Sequence, residues 1–341
     1  MRRPMRPARR LAAALMAILM SAPGQAAAWG ATGHRMVGVA AVEDLPAELP
    51  AFVRSPSAAQ DIGELSRELD RSKGAGRAHA VSLDPGHFLN ISDDGTLAPG
   101  LRFEAIPPDR ESYETALRAA GTSAWKVGWL YHSILETQQQ LTKDFAMWRV
   151  VHHAAAIERN PTRRAWYRAD LRRREALILQ TLGRLSHYVA DGAQPLHVTT
   201  HYNGWAAADN PEGFTRNRIH AVFEGELVAA GVRQEEVRRA MPPRTDIQGA
   251  LETHISAYLA RAWREVPSLY RLEKTGALKP GDPRGAAYAR DLLGAGAGAL
   301  RDLVTLAWRS SSQSRVGWPE MTVEDALAGR HDLWVSLYGK D

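Results

Sequence analysis

The sequence contains no cysteine in its 341 residues. Disulfide bonds are therefore excluded, and so are metal sites that are built on thiolate ligands. A chain of this length, with 45% apolar residues, is long enough to form a substantial hydrophobic core. Any bound metal would have to be held by imidazole and carboxylate groups.

Long apolar runs are also scarce. The clearest one, from Leu11 to Met20, follows five arginines in the first ten residues and precedes small residues that end at Ala28. This pattern predicts a cleavable secretory signal peptide over residues 1–28, because its apolar stretch is too short to span a bilayer. Cleavage after Ala28 would leave Trp29 as the first residue of a periplasmic or secreted protein.

The rest of the chain has no excess of basic charge. The full sequence has 43 Lys and Arg against 38 Asp and Glu, and five of the arginines belong to the predicted signal peptide. Basic and acidic residues are then equal in number. Overall charge therefore gives no indication of nucleic-acid binding, and only a local basic patch stays open as an alternative.

The periodicity is mostly helical, and long alternating strand patterns are missing. It predicts helices at 29–42, 58–73, 112–120, 123–158, 162–193, 216–230, 246–265 and 285–309, with a loop-like stretch at 79–111. Candidate ligands scattered from 29 to 224 can meet only if these segments pack together. We therefore predict one all-α domain at 29–309 and a polar C-terminal tail at 310–341. Gly294, Gly296 and Gly298 suggest close packing of the last helix against a neighbour.

Potential metal ligands recur at helical spacing in the middle of the chain. His187 and Asp191 are four residues apart, His197 follows after a proline, and His220 and Glu224 repeat the four-residue spacing. Residues i and i+4 share one face of a helix, so each pair can present two ligands to one point. The pattern favours a multinuclear zinc site over the alternative of ordinary buried histidines and solvated acids.

Four segments together resemble a known family. They are WGATGH at 29–34, GHF at 86–88, HYVADGAQPLHV at 187–198 and IHAVFEGEL at 219–227. The combination resembles the superfamily of zinc-dependent phospholipases C and single-strand-specific nucleases, over roughly residues 29–309. The resemblance implies a single helical domain built around a trinuclear zinc site.

The resemblance also implies a set of nine ligand residues for three zinc ions. The three implied groups are an upstream aspartate with His87, His187 and Asp191; His197, His220 and Glu224; and the amine and carbonyl of Trp29 with His34 and a bridging oxygen of Asp191. So few ligands for three metals leave positions for water, as expected of catalytic zinc.

The upstream aspartate is the open choice in this set. Asp70 lies 17 residues before His87, near the family's spacing, whereas Asp61 lies 26 residues before it and would require a longer loop. Asp84, next to Pro85, is typical of a turn. We favour Asp70 and keep Asp61 as the alternative. Asp70 and Asp191 are the expected catalytic carboxylates, Asp70 as the group that orients the attacking water.

The resemblance implies hydrolysis of a phosphodiester, but its two branches differ in substrate. The short spacing from Trp29 to His34 is similar to the nuclease branch, so we expect an endonuclease or 3′-nucleotidase acting on single-stranded DNA or RNA. Glu224 in place of an Asp, and NPEGF at 210–214, look like the phospholipase C branch, which is the alternative. A third possibility is an exported zinc-binding scaffold without turnover. No obligate protein partner is expected.

Two groups of residues, both containing aromatic side chains, are candidates for contact with the substrate. Tyr202 and Asn203, in HYNGW at 201–205, could contact a base or line a lipid headgroup pocket, or they could be ordinary loop residues. Trp125 and Trp129 are four residues apart, and we expect both to lie in the core rather than to form a substrate platform.

Overall fold

The computed structural model describes residues 29–338, and the predicted signal peptide lies outside them. The described chain is mainly helical, which confirms the all-α class. Its α-helices are α1 (Gly30–Glu43), α2 (Pro56–Leu65), α3 (Glu68–Arg71), α4 (Arg77–Leu83), α5 (Arg110–Ala119), α6 (Ala124–Val127), α7 (Leu130–Ile157), α8 (Pro161–Ala193), α9 (Val228–Gly231), α10 (Gln234–Arg239), α11 (Leu251–Arg264), α12 (Val266–Lys274), α13 (Pro283–Ser311), α14 (Val323–Leu327) and α15 (Leu333–Tyr338).

Shorter elements connect these helices. Antiparallel pairs are formed by β1 (Thr96–Ala98) with β2 (Leu101–Arg102), and by β3 (Arg315–Val316) with β4 (Met321–Thr322). Single 3₁₀ turns occur at Ala51–Val53, Asp84–His87, Phe103–Ala105 and Pro195–His197, and a π-helical turn spans Val222–Leu227. No helix between residues 29 and 338 combines the length and the apolar character needed to cross a membrane.

Helix α8 is the central element of the core. Asn160 caps its first turn by accepting hydrogen bonds from two backbone N–H groups, and Pro161 occupies the first helical position. The helix ends at Ala193 because Pro195, shortly beyond, cannot continue it. Along its length α8 packs against α1, α2, α7 and α13. Residues at the C-terminal end of α8 are therefore surrounded by other helices.

Small residues allow the neighbouring helices to approach closely. A Cβ added at Gly183 of α8 would lie 2.5 Å from the Leu65 Cβ, and one at Gly298 of α13 would lie 2.7 Å from the Pro242 ring. Gly294 has a similar close approach to Ala240, at 2.8 Å. The close packing predicted for the glycines of α13 is confirmed at these positions.

Two predicted helices are interrupted in the structure. The segment expected as one helix over 58–73 is broken at Ser66 and Arg67, between α2 and α3. The segment expected over 123–158 is broken at Gly128, whose φ of 85° suits glycine and ends α6 before α7 begins. In addition, the stretch expected as a loop over 79–111 contains most of α4 and the β1–β2 pair.

The C-terminal segment is folded, in contrast to the expected polar tail. Its β3–β4 hairpin, α14 and α15 pack on the sides of α7 and α8. The contact is a small apolar cluster, separate from the main core, to which all of these elements contribute. Val316, Met321 and Val323 are almost fully buried there, and Trp334 packs edge-on against Trp166 of α8. The apolar residues that interrupt this polar sequence at 316, 321 and 323 give the segment its inner face.

The hairpin offers a matched test of this packing. We expect Met321→Ala to lower the free energy of unfolding by about 2–5 kcal/mol, because it removes a buried side chain from the cluster. Trp318→Ala in the same hairpin should change it by less than about 0.5 kcal/mol, because Trp318 is 84% exposed. Urea unfolding of the two variants checks this. A silent Met321→Ala would mean that the segment is not docked.

Candidate metal centre

Within the described residues, histidine and carboxylate side chains gather into three groups whose candidate ligand atoms lie within 4.8 Å of one another. We call them cluster 1 (Asp70, His87, His187), cluster 2 (His34, His187, Asp191) and cluster 3 (His197, His220, Glu224). Asp70 is partly exposed, and the other side chains are buried. Each cluster could hold a metal ion.

Asp191 connects the clusters, because its two carboxylate oxygens face different histidines. Oδ2 lies 3.2 Å from Nδ1 of His87 and 3.3 Å from Nε2 of His187. Oδ1 lies 3.4 Å from Nε2 of His34 and 3.8 Å from Nδ1 of His197. Asp191 therefore has the position of a carboxylate that can bridge two cations.

Backbone carbonyls orient two of the imidazoles. Nδ1–H of His187 donates to the carbonyl of Ser66 at 2.7 Å, and Nδ1–H of His197 donates to the carbonyl of His87 at 2.5 Å. A donor at Nδ1 leaves the lone pair of Nε2 free, and such outer contacts fix the tautomer of ligating histidines. The break between α2 and α3 places the Ser66 carbonyl for this contact.

Cluster 3 is built on the turn that follows His220. The Nε2 atom of His220 lies 2.8 Å from Oε2 of Glu224, and Nε2 of His197 lies 3.6 Å from the same oxygen. The backbone N–H of His220 donates to Oδ1 of Asn203, and Glu224 lies in the π-helical turn. Turns of this kind inside helices are frequent at functional sites.

The structure places Trp29 beside the ligand-bearing end of α8. Its indole Nε1–H donates to the carbonyl of Ala190 at 2.8 Å, one residue before Asp191, and its ring packs on Phe223. The side chain is fully buried. His34 follows one turn later on α1, so the N-terminal segment contacts the same region from a different direction.

The candidate aspartates occupy different positions. Asp70 in α3 lies 3.8 Å from Nε2 of His34 and 4.0 Å from Nε2 of His187. Asp61 is exposed on α2, and Asp84 is half-buried at the edge of a cleft. Lys73, one turn beyond Asp70, places its Nζ 2.5 Å from Oδ1 of Asp70. Of these aspartates, the structure brings Asp70 to the clusters.

The clusters differ in how readily their histidines carry a proton. Burial lowers the pKa of His34 to about 3 and the pKa of His87 to about 4. Burial alone would also lower the pKa of His197, but the carboxylates of Asp191 and Glu224 outweigh it and raise that pKa to about 9. Near neutral pH, His34 and His87 are thus neutral and can donate a lone pair, whereas His197 is cationic and its Nε2 lone pair becomes available only when a metal displaces the Nε2 proton.

The donor set fits a divalent cation such as zinc. Buried polar atoms without a hydrogen-bond partner among the described residues include Nε2 of His34, Oδ1 of Asp191 and Oε1 of Glu224. Leaving such atoms unpaired costs about 1–3 kcal/mol each, more for charged groups. Imidazole and carboxylate ligands without thiolate are typical of catalytic zinc sites.

A cleft of about 500 Å³ opens onto clusters 1 and 3. Its lining residues are Lys73, Asp84, His87, Phe88, Asn90, Trp125, Lys126, Leu196, His197, Tyr202 and His220. Trp125 is 44% exposed here, so the expectation that it lies in the core is wrong; Trp129 is partly buried. Tyr202 is 50% exposed in the lining, whereas Asn203 uses its side chain to hold His220.

Sequence reasoning did not single out some residues of this region. Lys73 was missed, although its spacing of three residues from Asp70 is a helical signal. Gln194 was part of the QPLH motif but had no assigned role. The carbonyl of Ser66 gives no signal in a sequence, because every residue has a backbone carbonyl.

A scan against protein-family models finds no match, and a search of curated proteins finds none either. The assignment of this site therefore depends on its residues and their geometry.

The raised pKa of His197 predicts how zinc binding depends on pH. Zinc must displace the proton of His197, so the zinc affinity of cluster 3 should rise about tenfold per pH unit up to about pH 9. Binding at clusters 1 and 2 should release no proton from His34 or His87, because both are already neutral. Proton release during zinc titration in weak buffer measures this. A zinc affinity that is independent of pH at every site would contradict it.

Separate replacement of Asp70 and Asp61 by asparagine tests which of the two is the upstream zinc ligand. Asp70→Asn should weaken zinc binding at cluster 1, because an amide is a poor substitute for an anionic ligand. Asp61→Asn should leave zinc content unchanged and serves as the matched control, since Asp61 is exposed. Zinc per molecule after dialysis against a weak chelator is the measurement. Loss of zinc in Asp61→Asn alone would move the ligand to Asp61.

Proposed function

We propose that this protein is an exported, zinc-dependent phosphodiester hydrolase that acts on single-stranded nucleic acid. The observation that carries the proposal is the meeting of three His/Asp/Glu clusters around Asp191, with histidines of clusters 1 and 3 in the wall of one cleft. The proposal includes the helical phospholipase C and nuclease type of fold that the sequence motifs resemble. Cleavage after Ala28 and ligation by the new amine of Trp29 belong to the same proposal.

The proposed centre would bind three zinc ions, and each cluster contributes ligands to one of them. Cluster 1 with Asp191 would hold one, cluster 3 a second, and His34 with Asp191 and the freed amine of Trp29 a third. Bound zinc would supply an activated water near neutral pH and would offset negative charge on the phosphoryl group. Nine ligands for three ions leave room for water and substrate, which argues against a closed scaffold.

The protein's own groups have separate tasks in this proposal. Asp191 would fix the spacing between two cations, because each of its oxygens faces a different set of imidazoles. Asp70 would be the acceptor that orients the attacking water, since it is partly exposed and contacts Lys73, which lines the cleft. Lys73, in contact with Asp70 and in the lining of the cleft, can donate to a phosphate oxygen.

The charges and rings of the cleft favour a nucleic-acid strand. Lys73 and Lys126 place two ammonium groups in the lining against one carboxylate, Asp84. Exposed aromatic rings at Trp125 and Tyr202 can stack on bases without regard to sequence. A choline headgroup could also rest on these rings beside Asp84, which is what keeps phospholipase C activity as the second candidate. Lys73 is paired with Asp70, so Lys126 is the lining charge that disfavours a cationic headgroup.

A side-by-side assay tests the proposal. Zinc-loaded protein is given single-stranded DNA, RNA and phosphatidylcholine vesicles, and we expect turnover of the nucleic acids to exceed that of the lipid at least tenfold. Trp125→Ala should raise KM for the nucleic acids by about 5- to 150-fold, as expected for loss of about 1–3 kcal/mol of stacking. Trp318→Ala, which removes an exposed tryptophan outside the cleft, is the matched control.

Each outcome of this assay has a clear meaning. Preferential cleavage of phosphatidylcholine would contradict the proposed nuclease activity and would support phospholipase C activity. Stoichiometric zinc without hydrolysis of any substrate would favour the zinc-binding scaffold. Equal effects of Trp125→Ala and Trp318→Ala on KM would remove the stacking role of the cleft.

A further inference from the structure

Gln194 is a fully buried glutamine whose polar groups all make contacts around the candidate metal centre. Its backbone N–H donates to the carbonyl of Asp191 at 3.0 Å, and its backbone carbonyl accepts from the N–H of His197 at 2.9 Å. Its side-chain Oε1 accepts from the N–H of Leu196 at 2.7 Å, and Nε2 donates to Oε2 of Glu224 at 3.1 Å. One residue thus links a ligand of cluster 2 with two ligands of cluster 3.

The orientation of the Gln194 amide follows from its partners. The N–H of Leu196 is a donor, so the atom facing it must be the oxygen of the amide. The NH₂ group then faces the carboxylate of Glu224, which can only accept when ionised. The alternative orientation would place donor against donor and acceptor against acceptor. Chemistry therefore fixes a donor directed at Glu224.

Glu224 needs such a partner because its side chain is long and because the residue lies in a π-helical turn. The oxygen that accepts from Gln194 is Oε2, which also lies 2.8 Å from Nε2 of His220. The other oxygen, Oε1, is buried and has no hydrogen-bond partner in the described part of the chain. The contact with Gln194 therefore holds the oxygen that faces the imidazoles.

We propose that Gln194 is a positioning residue that holds Glu224 in place for metal binding at cluster 3 and keeps that cluster in register with Asp191. The inference depends on the metal-binding part of the proposed function and is independent of the substrate. Outer contacts of this kind orient metal ligands, and their loss typically costs about 10- to 100-fold in metal affinity.

Other side chains at position 194 would not perform this task. Glutamate would set a second acceptor against Glu224, and asparagine is one methylene shorter, so it could not make both side-chain contacts. Methionine has a similar length and apolar volume but cannot donate, so Gln194→Met removes the donor with little change in packing. It also leaves the N–H of Leu196 unpaired, and the test has to separate that effect.

A double-mutant cycle on zinc affinity separates the two effects. The intact chain, Gln194→Met, Glu224→Gln and the double variant are stripped of metal and titrated with zinc against a chromophoric chelator. We expect Gln194→Met to weaken the binding of one zinc ion, the one at cluster 3, about 10- to 100-fold in the intact background. In the Glu224→Gln background the same change should cost less than threefold, because Gln194 acts through the Glu224 carboxylate.

A matched control and a folding measurement accompany the cycle. Gln138→Met replaces another buried glutamine, on α7 and outside the three clusters, and should leave zinc affinity unchanged. Circular dichroism of each metal-free variant shows whether it folds. Gln194→Glu, which keeps an acceptor for Leu196, should lose zinc affinity as Gln194→Met does.

The inference fails if Gln194→Met leaves zinc affinity unchanged, or if it weakens zinc equally in both backgrounds. The second result would assign the effect to the turn at Leu196. Wild-type zinc affinity at Gln194→Glu would also overturn it. A protein that binds no zinc in its unaltered form would instead overturn the proposed function.

Discussion

The carboxylate of Asp191 is the constraint on which the rest of the structure depends. It is completely buried, and an isolated charge in that position would be very costly. Burial alone would raise its pKa, yet the imidazoles of His187 and His197 hold that pKa well below its usual range. Histidines from α1, from the turn before Leu89 and from both sides of Pro195 surround it. The helices must pack as they do for these groups to meet.

The fold satisfies this constraint through the end of one long helix. Helix α8 carries His187 and Asp191 in its last two turns, and Gln194 and Pro195 end it so that the chain turns back towards the same centre. Gly183 of α8 lets α2 approach, because a Cβ there would lie 2.5 Å from the Leu65 Cβ, and α3 then places Asp70 next to His187. The cleft lies where the helices leave the centre uncovered, beside clusters 1 and 3.

Sequence reasoning succeeded where the signal was local and failed where it depended on tertiary structure. The spacing of His187 with Asp191, and of His220 with Glu224, predicted two candidate ligand pairs, and the structure brings the side chains of each pair together because they are about one helical turn apart. Trp125 and Trp129 have the same spacing, but Gly128 ends α6 between them, so no single helix face carries both. The folded C-terminal segment was missed because its buried residues are few and separated by polar ones.

The balance of charge at the centre gives a physical reason for binding metal. Asp70, Asp191 and Glu224 contribute three carboxylates, and their pKa values are all lowered from the usual range. Lys73 and the proton on His197 compensate for two of these charges, while burial keeps His34 and His87 neutral. The lone pairs of His34 and His87, together with buried carboxylate oxygens that lack a hydrogen-bond partner among the described residues, remain in a region of low dielectric constant. A divalent cation supplies positive charge and also binds those lone pairs, which the proton on His197 does not.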